Sequence, residues 1–211
     1  MKILRTVCNS YLVNSYLLIA KDNTGVLIDP ACSSKEEFDR LLKIINDYTL
    51  NMAATIITHP HADHVMGAQF MIDTFPQAEL LMHKEGFPLY QTMNDYSLIM
   101  GFGKREIPQP TRFVTDNEIL NFSDIELEVL YTPGHAPGSI CLYGKDNDVV
   151  FSGDVLFQNS IGRTDLPGGN FNMLKKSISE KLFTLPENTL VLPGHGDQTT
   201  IEFEKEHNPF L

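Results

Sequence analysis

Short apolar stretches alternate with polar turns at the start of the chain: residues 3–7, 11–20 and 26–29, the last two separated by Lys21-Asp22-Asn23-Thr24-Gly25. β-Branched and aromatic residues bounded by turn formers predict a meander of antiparallel strands. The period then changes. Ser34-Lys35-Glu36-Glu37 has capping-box spacing, and Phe38, Leu41, Leu42, Ile45 and Tyr48 follow at helical intervals, which predicts a helix with one apolar stripe. Residues 53–58 read as a buried strand, followed by a histidine-rich loop and an apolar-periodic stretch at 66–75.

Between 85 and 110 the pattern loosens into glycines and prolines interleaved with Phe87, Tyr90, Met93, Tyr96, Met100 and Phe102. Such a segment fits a lid over a pocket, or equally short helices whose aromatics pack on the core. Strands return at 125–131, 139–143 and 149–151, and a helix is predicted over 170–183 with Phe171, Leu174, Ile178 and Leu182 inward. The last predicted strand is 189–192. Each half runs strands first and helix afterwards, which predicts two packed sheets with helices outside, in one domain over 1–211 with an internal pseudo-duplication.

Composition narrows the partners. With 42% hydrophobic and 20% charged residues, the 211-residue chain can build a sizeable core. A formal charge of −11 repels phosphate backbones and anionic lipid, so neither nucleic acid nor a membrane is an expected partner. No apolar run approaches the roughly 18 residues a spanning helix needs. Cys8, Cys32 and Cys141 have no CxxC spacing and are expected to be buried core thiols in a reducing, cytoplasmic setting.

The chemistry concentrates in Thr58-His59-Pro60-His61-Ala62-Asp63-His64, directly after an apolar strand. Alternating His59 and His61 can face one cation from an extended loop, while Asp63 and His64, beyond the bend, can face a second. His135, Asp154 and His195 each follow an apolar strand within a glycine-containing turn, and the carboxylate of Asp154 has the oxygens needed to bridge two cations. His83 and His207 lack ligand-type neighbours and are left out, and Asp29 is expected to be a structural acceptor for backbone N–H groups. Arg163 can meet a substrate carboxylate or pair internally with Asp165. Phe102 and Tyr90 are candidates for an apolar pocket wall.

This pattern, HxHxDH followed by a lone His, a lone Asp and a last His, resembles the metallo-β-lactamase superfold of metal-dependent hydrolases. The resemblance implies an α/β (α+β) four-layer αββα sandwich of two mixed sheets. It places His59, His61 and His135 on one metal, Asp63, His64 and His195 on a second, and Asp154 between them. The carboxylate at position 154 and the stretch SIGRTDLPGG at 160–169 are similar to the glyoxalase II-like branch, as is the ending Asn208-Pro209-Phe210. In full-length glyoxalase II a helical C-terminal extension supplies much of the glutathione site. Here only 16 residues of the 211 follow His195, so the chain looks like the short hydroxyacylglutathione hydrolase-like proteins.

The expected activity is hydrolysis of a small-molecule thioester such as S-lactoylglutathione. Two divalent cations would bring a shared water's pKa down to about 7, and Asp63 would orient it and accept its proton. Zinc is the first expectation, with iron or manganese also compatible with these donors. A persulfide dioxygenase holding one iron through His59, His135 and Asp154 is the sharpest rival by resemblance. Hydrolysis of another ester or lactone and a non-catalytic binding protein are further alternatives.

Overall fold

Strand β1 (Lys2–Cys8) pairs antiparallel with β2 (Val13–Ile19), and β2 with β3 (Thr24–Ile28), forming the predicted meander in a computed structural model that describes residues 1–211. Beyond it the connections become parallel: β3, β4 (Asn51–Ile56), β5 (Glu79–His83) and β6 (Arg112–Val114) complete a six-stranded mixed sheet in chain order. The second six-stranded sheet has the order β14-β13-β10-β9-β8-β7, built from β7 (Ile119–Phe122), β8 (Ile125–Tyr131), β9 (Ile140–Gly144), β10 (Val149–Gly153), β13 (Leu190–Pro193) and β14 (Thr199–Thr200). Strands β11 (Leu156–Phe157) and β12 (Ser160–Ile161) form a small hairpin.

Alternation on the strands sorts side chains between layers. Tyr16, Leu18, Val26, Ile28 and Ile56 of the first sheet meet Leu127, Val129, Leu142, Phe151 and Leu192 of the second, which makes the inter-sheet core. The opposite face of β2 turns Leu17 and Ile19 toward α1 (Lys35–Asp47) and α3 (Ala68–Thr74), represented by Phe38, Leu41, Ile45 and Met71. Behind the second sheet, Leu174 of α6 (Phe171–Ser177), Ile178 and Leu182 in the continuing turns, and Ile201 of α7 (Ile201–His207) cover Cys141, Val150 and Val191. The result is helix, sheet, sheet, helix, as the resemblance implies.

Several local expectations change. The Ser34 hydroxyl caps the Glu37 N–H at 3.2 Å, but the Glu37 carboxylate does not complete a capping box. It accepts instead from the N–H groups of Ser33 and Asn9, tying the β1–β2 turn to α1. The helical stretch expected at 66–75 forms as α3, and a separate short helix, α2 (Ala62–Val65), precedes it where a loop was expected, so Asp63 and His64 are helical. Phe171, expected inward, is exposed because it is the first residue of α6, before the helix meets the sheet. Strand β14 and helix α7 went unforeseen, since a two-residue strand leaves almost no periodicity. No helix is long and apolar enough to cross a membrane.

Candidate metal centre

Four connecting segments converge at one end of the sandwich. His59 and His61 follow β4, Asp63 and His64 lie on α2, and His135, Asp154 and His195 follow β8, β10 and β13. The two sheets are stitched together beside the site: the Ile140 N–H donates to the Thr58 carbonyl, and the Asn14 N–H to the Gly194 carbonyl. The Asn14 amide and the Tyr16 hydroxyl both donate to the Pro193 carbonyl. These bonds fix ligand-bearing loops of different sheets to one another.

Three of the rings are anchored from behind. His64 Nδ1 lies 2.8 Å from Asp29 Oδ2, His135 Nδ1 2.8 Å from the Arg163 carbonyl, and His195 Nδ1 2.9 Å from the Tyr11 carbonyl. A carbonyl or carboxylate only accepts, so each Nδ1 carries the hydrogen and, in the neutral ring, Nε2 presents a lone pair inward. His64 Nε2 and His195 Nε2 then face each other at 3.3 Å, and His135 Nε2 faces His61 Nδ1 at 2.9 Å. The first pair brings two lone pairs together unless positive charge, a proton or a metal ion, stands between them.

Buried His59 Nε2 and Asp154 Oδ1 have no hydrogen-bond partner, which is costly in a water-poor site unless a cation takes up the lone pairs. Two donor sets result: His59, His61 and His135, and Asp63, His64 and His195, with the donor atoms of each set within 4.8 Å of one another. Asp154 joins them. Its Oδ2 is 4.0 Å from His59, 3.7 Å from His135 and 3.5 Å from His195, and its Oδ1 is 3.4 Å from His64. Nitrogen and carboxylate donors of this kind suit zinc, iron or manganese. Asp29, His59 and His64 form a third cluster, but Asp29 also accepts from the N–H and hydroxyl of Thr58 and acts as a support behind the rings.

The electrostatics follow from packing. Burial, then the neighbouring His64, drives His59 well below the usual imidazole range, and burial with His135 beside it lowers His61 to about 4. Burial works against protonation of His64 as well, but Asp154, Asp29 and Asp63 around it hold it well above that range. His195 is likewise opposed by burial and raised to about 9 by Asp154 and Asp63. Burial would raise Asp63 and Asp154, yet His64 foremost holds both carboxyls low and ionised.

A cavity of about 450 Å³ opens onto these residues. Arg163 lines it, but its guanidinium grips both oxygens of Asp165 at 2.8 Å, so the internal pair wins over a free cation. Its main-chain carbonyl, holding His135, is what the site uses. Tyr90 is not part of the wall: it is fully buried, with its hydroxyl donating to the Pro108 carbonyl. Phe102 is not part of it either, and packs its ring 5.4 Å from that of Tyr11. The segment 85–110 folds into α4 (Phe87–Tyr90) and α5 (Met93–Ile99), whose Leu89, Met93, Tyr96 and Ile99 supply the wall instead. His83 stacks on Tyr131 and His207 on Phe203, away from the site.

An αββα sandwich with paired His/Asp clusters at the loop end defines a metal-binding hydrolase type of protein. The chain belongs to the metallo-β-lactamase superfamily, whose profile matches residues 7–195. It is 40% identical over 200 residues to the probable metallo-hydrolase YqgX of Bacillus subtilis, covering 94% of this chain and 92% of that one. It is 34% identical to hydroxyacylglutathione hydrolase GloC of Haemophilus influenzae, with 94% and 92% covered. Among solved structures, BLEG-1, described as a B3 metallo-β-lactamase, superposes with a TM-score of 0.90 at 34% identity, covering 100% of this chain and 99% of that one. TTHA1623 in a di-iron-bound form follows at 0.87 and 32%, covering 99% and 100%.

Proposed function

We propose that this chain is a two-cation hydrolase of small-molecule thioesters, with His59, His61 and His135 holding one cation, Asp63, His64 and His195 the other, and Asp154 shared. The observation that carries this is the meeting of inward imidazole nitrogens, His64 against His195, around a buried carboxylate with an unpartnered oxygen. Bound divalent cations supply an acidified water and polarise the attacked carbonyl. Asp63, held ionised against its burial by His64 and His195, is the base beside the site. The carbonyls of Tyr11 and Arg163 and the carboxylate of Asp29 fix the rings, so the donor geometry is set before substrate arrives.

A thioester suits these residues. No unpaired cationic side chain stands in the lining to protonate a poor leaving group, and a thiolate, with a conjugate acid near about 8.5, departs without one. Similarity to GloC supports an acyl-thiol substrate. The charge of −11 supports a small molecule over nucleic acid, and three buried free thiols support a reducing compartment such as the cytoplasm.

The test is hydrolysis of S-lactoylglutathione by zinc-loaded protein beside a His59→Ala variant and a β-lactam substrate. Turnover of the thioester alone, abolished in the variant, supports the proposal; cleavage of only the β-lactam overturns it. The similarity to a structure that holds iron supports iron as the metal here, and one iron held by His59, His135 and Asp154 in a persulfide dioxygenase is the second reading. Iron in the purified protein with oxygen uptake on glutathione persulfide would establish that reading.

A further inference from the structure

The wall of the cavity differs sharply from its floor. The floor is His61, Asp63, His135, Asp154 and His195, while the wall is made by Leu89, Met93, Tyr96, Ile99, Met100 and Leu166. Helix α5 adds Ile99, 82% exposed, to this lining, so that with Leu89, Met93, Tyr96 and Met100 it continues one apolar surface, and a contiguous apolar surface at a cavity marks a ligand-binding face. Arg163 is the one permanent cation in the lining, and Asp165 already neutralises it through a two-point pair. A charged peptide-like thiol such as glutathione has carboxylates that would find no free cationic partner here.

We propose that the group entering this cavity is an uncharged apolar chain carried by the thioester, and that Ile99, Met93 and Leu89 select for it over glutathione conjugates. This rests on the thioester hydrolase reading above and specifies its substrate class. The attacked carbonyl sits at the His/Asp floor and the chain runs along the wall of α4 and α5. Each methylene that becomes fully buried there favours the longer substrate by about four-fold.

The test compares kcat/KM of zinc-loaded protein on S-lactoylglutathione, S-acetyl-N-acetylcysteamine, S-hexanoyl-N-acetylcysteamine and S-hexyl thioacetate. The last two place the chain on the acyl or the thiol side. At least one of them is expected to exceed both short or charged substrates by about ten-fold or more, for two or more buried methylenes. Ile99→Asp is expected to collapse that ratio; Ile99 is exposed, so the substitution leaves the core intact, which circular dichroism checks. A ratio near one, a preference for S-lactoylglutathione, or a ratio untouched by Ile99→Asp overturns the proposal.

If no substrate turns over above a His59→Ala blank, the hydrolase reading fails separately. Calorimetric binding of S-hexanoyl-N-acetylcysteamine then decides the apolar cavity. Binding weakened by Ile99→Asp sustains it, and equal or absent binding overturns it.

Discussion

Asp29 Oδ2 and His64 Nδ1 lie 2.8 Å apart in a setting where Asp29 is 1% exposed and His64 fully buried. The same carboxylate accepts from the N–H and hydroxyl of Thr58, the residue that precedes His59, so one side chain positions residues belonging to both donor sets. Asp29→Ala would strand those donors. Each buried unsatisfied group costs about 1–3 kcal/mol, and loss of a partner behind a metal-bound histidine costs about 10–100-fold in metal affinity. Denaturant unfolding and competition against a chelator should show both losses; unchanged zinc affinity would mean Asp29 only supports the backbone.

Close approach at Gly194 gives a second prediction. A Cβ there would lie 2.7 Å from His64 Cε1 and press still harder on Asp154 Oδ1. Gly194→Ala must therefore push at least one donor out of place, and displacement of about 1 Å at a reaction centre can cost about 10²-fold in rate. The expected outcome is a loss of that order in kcat/KM with the far-ultraviolet spectrum retained. Full activity would show that the loop yields without disturbing the donors.

His59, His61, His135, Asp154 and His195 were legible because each lies just after an apolar strand in a glycine- or proline-containing turn, and strands packed as two sheets deliver such turns to one end; Asp63 and His64 were legible from their spacing to the first two histidines, although they lie on α2. Asp29 was legible as an acceptor, though not as the anchor of His64, because that pairing joins the loops after β3 and β4. The wall of the cavity was not legible. Helices α4 and α5 are too short for periodicity to separate inward from outward positions, so the sequence points to Tyr90 and not to Ile99, yet tertiary packing buries the first and exposes the second. The part Arg163 plays was hidden for another reason: it acts on His135 through its main chain, and every residue type has a carbonyl.

Removing cations should act on stability as well as on turnover, since donors held this close with unpartnered atoms are destabilising alone. A ligand at about 100 times its dissociation constant contributes about 2.7 kcal/mol. For a chain of 150–250 residues that corresponds to a rise in Tm of roughly 5–10 °C. Chelator-treated protein titrated with zinc in a thermal melt should show it, alongside recovery of hydrolysis. An unchanged Tm would count against cation binding at these residues.

Acid stability has a separate source at Asp116. Partial burial raises this carboxyl, but Lys181 Nζ at 2.7 Å and the Tyr131 N–H at 2.8 Å outweigh that and hold it below the usual aspartate value. A depressed folded-state pKa gives stability that is present above the unfolded value and lost as pH falls through the folded one. Asp116→Asn keeps an acceptor for Tyr131 and removes only the charge. The variant should be less stable at pH 7 by under about 1 kcal/mol, since the pair is partly screened by solvent, and the difference should shrink in acid. A difference that stays constant down the acid limb would assign the effect to packing.

Tyr90 separates core from cavity. Its ring is fully buried and its hydroxyl donates to the Pro108 carbonyl at 2.9 Å, closing the segment that follows α5 back onto α4. Tyr90→Phe preserves the ring and leaves that carbonyl short of a donor, a loss of about 1 kcal/mol. Because no atom of Tyr90 reaches the cavity, kcat and KM should each stay within about two-fold of the parent. A KM raised about ten-fold without a change in stability would reverse the assignment, placing the hydroxyl in contact with substrate and α4 in a different orientation when substrate is bound.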